Sequence, residues 1–174
     1  HTQTNTHSVT DLSDALNASA TSGYDETYDP SYSTSSVGGP KVQAYHFPAF
    51  GFCGNHASSI LYTGTPALKG FLPSYSDFRE MFSALGFGDK SAVTQAWHSN
   101  QRQAWQMYTW YGRLASLAFT QVGGKGFDGT RWYWTSTEMG TDYVGIVNPK
   151  PTHMHWGNDT KSNNDIYVRP FIRY

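Results

Sequence analysis

Apolar residues recur at helical spacing twice in the middle of this chain, and on either side the pattern changes to short alternating runs. The first helical stretch follows Phe71-Leu72-Pro73-Ser74. Phe78, Met81, Phe82 and Leu85 fall on one 3.6-residue face, Ser74 with Asp77 three residues on makes an imperfect capping box, and Gly86 supplies the stop. The second covers about Arg102 to Phe119, where Trp105, Tyr108, Tyr111, Leu114, Ala115 and Ala118 form an aromatic-rich core stripe that Gly123-Gly124-Lys125-Gly126 ends. Upstream, Lys41 to Phe47 alternates and predicts a strand stopped by Pro48, and Ser58 to Tyr62 predicts a second short strand or irregular stretch. Downstream, short strands are predicted at Trp132–Ser136, at Tyr143–Val147 with Val144 and Ile146 on one face, at His153–Trp156 and at Ile166–Tyr174. Strand, two helices, then several strands is an α+β order, not the alternation of a wound α/β domain. Residues 1–40, rich in Ser and Thr and poor in aliphatics, read as an N-terminal arm or linker, with a short helical turn at Asp11–Leu16. The domain proper is then 41–174.

Composition sharpens this picture in one respect. Charged residues make up 14% of the 174, well below the usual quarter, while aromatics reach 16%. The interior is therefore expected to be built from large rings, and the surface from Ser, Thr, Asn, Gly and Tyr. Such a surface suits adaptable recognition, and it equally suits a loop-rich fold with many polar turns. A net charge of −1 without a basic block gives no nucleic-acid footprint. No apolar run is long enough to span a bilayer. Beginning at His1, the sequence reads as a mature or trimmed product. The single cysteine, Cys53, has no intrachain partner and reads as a small buried hydrophobe.

Three segments together carry a resemblance. Phe71-Leu72-Pro73-Ser74 with the helix behind it is similar to the W-x-L-P-S/T helix start of a bacterial C-type-lectin-like family. Tyr133-Trp134-Thr135-Ser136-Thr137-Glu138 resembles its Y-W-S-S-T-E strand, and Tyr167-Val168-Arg169-Pro170-Phe171-Ile172-Arg173 its closing V-R-P-V-R. Order and spacing also agree over residues 41–174. Phe71 stands where Trp is commoner, and Thr135 replaces the first Ser. The family includes Fibrobacter major-paralogous domains on bacterial surface proteins, and the same fold carries the variable proteins of diversity-generating retroelements. The resemblance implies a C-type-lectin-like fold: two helices on short, mostly antiparallel strands, with a long irregular C-terminal loop region. It implies a non-catalytic, ligand-binding role in adhesion or receptor recognition, toward a protein or glycan on another cell or surface. It also implies a location at a bacterial or phage surface, outside the cell or on a virion. In diversified members the varied positions lie between the Trp strand and the terminal strand. Here that segment holds Met139, Thr141, Asp142, Tyr143, Asn148, His153, His155, Trp156, Asn158 and Asp159, the predicted ligand-binding set. The alternative is a structural or assembly module of a cell-surface, pilus or phage-tail protein, forming a homo-oligomer through the arm.

The remaining chemistry is sparse. Trp156-Gly157-Asn158-Asp159 carries an inserted Gly relative to the Trp-Asn-Asp strand of calcium-dependent lectins, and Asn148-Pro149-Lys150 puts a cation where an oxygen ligand is needed. His153 and His155 would share a strand face, but no Cys or Glu completes a zinc set. The Gly123–Gly126 run lacks the preceding strand and the Gly-Lys-Ser/Thr ending of a phosphate loop. No Gly-x-Ser-x-Gly turn occurs, and one cysteine outside any matching motif does not fit the formylglycine-generating oxidases of related fold. No catalytic residue, cofactor or metal is expected. Glu138 is expected to pair with Arg169 and tie the first and last strands of the C-terminal half, while Trp134, Phe78, Phe82 and Trp105 anchor the core.

Overall fold

The computed structural model describes residues 22–33, 39–43, 47–59, 68–86, 93–97, 103–107, 112–139, 142–152 and 154–173. Among the described residues, four α-helices (α1 Gly23–Tyr28, α2 Pro48–Ser59, α3 Tyr75–Ala84, α4 Gly112–Gln121) lie among seven strands. The strands are β1 Lys69–Phe71, β2 Val93–Trp97, β3 Gln103–Met107, β4 Tyr133–Glu138, β5 Tyr143–Pro149, β6 Met154–Thr160 and β7 Phe171–Arg173. A five-stranded antiparallel sheet runs in the order β2-β3-β6-β5-β4, and β1 pairs antiparallel with β7 as a separate ribbon. The α+β class with antiparallel strands is thus as the pattern predicts.

The helix behind Leu72-Pro73 forms where capping demands. The Ser74 side chain accepts from Asp77 N, and the Asp77 carboxylate accepts from Ser74 N at 2.8 Å, closing the capping box. Gly86, at φ 76°, takes the left-handed conformation that ends the helix at low cost. Asp77 Oδ2 also accepts from Gly23 N at 2.7 Å, so one carboxylate caps α3 and anchors the start of α1. Burial pushes the Asp77 carboxyl above its ordinary range, against the lowering effect of the Ser74 and Gly23 donors. Asp77→Ala strips three donors of their acceptor and is expected to cost about 1–3 kcal/mol, read from the urea midpoint. Asp77→Asn, which keeps an acceptor oxygen, is expected to lose clearly less.

Two predicted elements are different in the structure. Pro48 starts a helix instead of stopping a strand. A proline needs no N–H at the first helical position, and α2 carries Phe50 and Cys53 into the core beside Phe47, which precedes it, despite Gly51 and Gly54. Of the strand predicted over 41–47, residues 41–43 form a turn and 44–46 lie outside the described residues; of the one over 58–62, Ser58 and Ser59 end α2. The long helix predicted over 102–119 is split. Gln103–Met107 is strand β3, paired with β2 and β6, and helix begins only at Gly112. Ala115 on α4 is buried, but Leu114, assigned to the same face, is half exposed. The strand β2 was not indicated by the pattern at all. Gly123, at φ 77°, ends α4 as expected, with Gly124 N donating to Phe119 O.

The described part of the predicted arm is built into the domain. Residues 22–33 form α1 and a short 3-10 turn, and Glu26 and Thr27 are fully buried against β1 and β4. Thr27 Oγ1 accepts from Leu72 N, and the Tyr28 hydroxyl donates to Gly70 O. The Asp11–Leu16 turn lies outside the described residues.

The main core joins α3 and α4 to the sheet through Tyr75, Phe78, Phe82, Ala115, Tyr133, Val147, Met154 and Trp156. Phe78 and Phe82 are buried there as expected, whereas the Trp105 side chain is outside the described set. Tyr75 lies flat enough on β5 that a Cβ on Gly145 would sit 2.5 Å from its ring, so only glycine fits there. A second cluster, Phe47, Phe50, Cys53 and Leu72, takes Trp134 and Val168 at its edge.

Candidate functional site

The three resembling segments meet at one junction. Ser136 N donates to Pro73 O, Tyr75 N donates to Thr137 Oγ1, and Trp134 N donates to Tyr167 O, while Phe71 and Phe171 are cross-strand partners with their rings edge to face. The register of β4 against β5 shifts between Trp134 and Glu138. Beside this junction lies a pocket of about 450 Å³. Phe50 and Phe52 of α2, Trp134 of β4, Val144 of β5, and Ile166 and Val168 after β6 give it apolar walls; Ser136, Glu138 and Lys161 add polar atoms.

Glu138 does not pair with Arg169. Its carboxylate lies 3.1 Å from Lys161 Nζ and 3.7 Å from Lys41 Nζ, and Lys41 reaches Glu26 at 2.6 Å. All four side chains are buried. Two cations and two anions therefore form a self-neutralised chain from α1 through β4 to the residues after β6. Arg169 instead donates to Lys125 O and Gly126 O and lies over the Phe127 ring at 4.6 Å, with burial lowering its pKa. The sequence pairing failed because the nearest cations, Lys41 and Lys161, lie 97 and 23 positions away along the chain, in segments with no local link to Glu138.

The ten predicted ligand-binding residues divide into two groups. Asp142, Tyr143, Asn158 and Asp159 gather at the end of β5–β6 nearest the β4–β5 turn, with Tyr143 opposite Thr160 and Val144 opposite Asp159. Tyr143 is 43% exposed and Asp142 is exposed, while Asn158 and Asp159 are half-buried. Met139 is at the same end, its N–H donating to Tyr143 O, but its side chain packs on the core. Asp159 accepts from Thr160 N and from Asn163 Nδ2, which fixes the turn after β6.

Asn148, His155 and Trp156 are not surface residues. Val147 and Trp156 are partners across β5 and β6, and Trp156 is fully buried with its ring edge to face with Tyr75. His155 stacks on Trp132, rings 5.6 Å apart. Asn148 is buried, with its amide nitrogen turned to donate to Gly129 O and Arg131 O. The segment expected to be irregular is mostly regular strand, and where β5 and β6 pair at Val147–Pro149 and Met154–Trp156 both faces are covered, which takes these residues inward. Thr141 and His153 lie outside the described residues.

Among the described residues, no group of three or more His, Cys, Asp or Glu side chains could hold a metal ion, and no helix is long and apolar enough to cross a membrane. Cys53 is fully buried, and burial pushes its thiol up to about 12, so it stays protonated at neutral pH and is a packing residue. Sequence reasoning missed Ser136, Lys161 and Phe52. Ser136 sat inside a strand motif read as structural, and nothing in local sequence separates a wall of a pocket from a wall of a core. Comparison of the chain with protein-family models, curated proteins and solved structures gives no match.

Proposed function

We propose that this chain is a non-catalytic recognition domain of the C-type-lectin-like class, binding a protein or glycan on another cell or surface from an extracellular, cell-surface or virion location. One observation carries the reading: four of the positions at which a C-terminal recognition segment would vary, Asp142, Tyr143, Asn158 and Asp159, come together at one end of the β5–β6 pair. The meeting of the Phe71–Ser74, Tyr133–Glu138 and Tyr167–Arg173 segments supports the fold class. An accessible tyrosine beside polar and acidic groups is the composition of an adaptable contact surface. The ligand-binding set therefore contracts to these four, and Asn148, His155 and Trp156 leave it.

Glycan-array and whole-cell binding of the labelled domain tests this, with an Asp142→Ala/Tyr143→Ala double variant as the comparison. At least tenfold weaker binding at an unchanged melting midpoint is expected. Equal binding by both proteins would move recognition away from this end of the sheet. A diversified origin has a separate signature. A near-copy of the gene's 3′ end should then differ at the codons of Asp142, Tyr143, Asn158 or Asp159 and spare those of Asn148, His155 and Trp156.

A further inference from the structure

The pocket between α2, β4 and the residues after β6 borders the β5–β6 end through Asn163, whose amide donates to Asp159, but its walls use neither Asp142 nor Tyr143 and it has its own chemistry. Its volume, about 450 Å³, falls in the range of roughly 300–1,000 Å³ typical of small-molecule sites. Its walls come from separate stretches of chain, with Phe50 and Phe52 facing a cleft that Trp134, Val144 and Val168 also line. Ser136 is fully buried on the pocket wall, and its hydroxyl has no hydrogen-bond partner among the described residues. A buried hydroxyl without a partner is costly, and a ligand atom that completes it recovers that cost.

Charge narrows the ligand further. The charged groups on the wall, Glu138 and Lys161, already lie 3.1 Å from each other, and among the described residues Lys41 and Glu26 continue the chain behind them as a second opposite pair. A charged ligand head placed here would be desolvated without gaining a dedicated counter-charge. We propose that this pocket is a binding site for an uncharged amphipathic small molecule: an aliphatic or aromatic body lying against Phe50, Trp134 and Val168, with a hydroxyl or amide head bonded to Ser136 Oγ. The site is independent of the surface residues Asp142 and Tyr143, so it stands or falls separately from the recognition reading.

The neutral fluorophore N-phenyl-1-naphthylamine, titrated into the full chain, reports on the pocket. Saturable binding at one site is expected. Val144→Trp and Val168→Trp each fill the cleft from a half-buried position, and each is expected to weaken the probe at least tenfold. Thermal melting identifies a variant that fails to fold, and the other then serves. Displacement of the probe by 1-octanol, octanoate and octylammonium tests the head group. Octanol is expected to displace at a concentration at least tenfold lower than either ion, and Ser136→Ala should erase most of that preference while leaving probe binding in place. Absence of saturable binding, or probe binding untouched by a folded Trp variant, overturns the site. Octanoate or octylammonium matching octanol overturns the uncharged head, as does a preference that survives Ser136→Ala. None of these outcomes bears on glycan or cell binding, which the Asp142→Ala/Tyr143→Ala variant reads.

Discussion

Lys41→Met is expected to be among the most damaging single substitutions in this protein, at about 3–5 kcal/mol. Lys41 is fully buried, 2.6 Å from Glu26 and 3.7 Å from Glu138, with its ammonium also 5.0 Å from the Phe50 ring centre. Methionine fills most of the same volume, so the loss is electrostatic and not a cavity. It takes away the ammonium 2.6 Å from the buried Glu26 carboxylate, while Glu138 retains Lys161 at 3.1 Å. At about 2–4 °C per kcal/mol for a domain of this size, the melting midpoint should fall by roughly 6–20 °C. The double variant Glu26→Leu/Lys41→Met removes both charges and should recover a large part of the loss, because the two sites share one interaction and do not add. If single and double variants were equally destabilised, the pairing of Lys41 with Glu26 would not be the source of the effect.

Trp156→Ala should cost a similar amount, about 3–5 kcal/mol, for a different reason. The indole is completely buried between α3 and the sheet, 5.3 Å from the Tyr75 ring and at an interplanar angle of 77°. Truncation leaves a void that Tyr75 cannot close, because its hydroxyl accepts from Ile146 N and its ring already lies against Gly145. Chemical denaturation with a two-state fit reads the loss directly. Tyr143→Ala, thirteen positions earlier in the chain and largely open to solvent, is the control and should stay within about 0.5 kcal/mol of the parent. A mild Trp156→Ala would return this residue to the surface set from which its burial removes it.

The contrast between these two residues shows what was legible in the sequence. Tyr143 and Trp156 share a segment, a polar neighbourhood, an aromatic ring and, by the β5–β6 register, one face of the sheet; only their places along it, Trp156 opposite Val147 under Tyr75 and Tyr143 at the open end opposite Thr160, separate a buried ring from an exposed one. Local signals were sufficient where the cause is local: Ser74, Asp77 and Gly86 delimit α3 through bonds to their own neighbours, and the strands at 133–138 and 143–149 follow from their residues. They were insufficient where a distant partner decides. Gln103–Met107 has helical spacing, yet β2 and β6 lie ready on either side, and sheet pairing overrides propensity. Lys41, at the start of a predicted strand, and Lys161, beyond the predicted strand at His153–Trp156, show no tie to each other until Glu138 is placed between them. The pocket needed four separate stretches to be brought together before it existed at all.

The ribbon of β1 and β7 has a further consequence, for how this fold is reached. Lys69–Phe71 pairs with Phe171–Arg173, residues roughly a hundred positions apart, and Tyr167 bridges to Tyr133. Loops of that length close slowly, and every contact that depends on them waits. During synthesis β1 stands without its partner strand until Phe171–Arg173 have left the ribosome, and Phe71 without the ring of Phe171. Among the described strands, β1 can therefore complete its pairing only after the roughly hundred residues that separate it from β7 have been made.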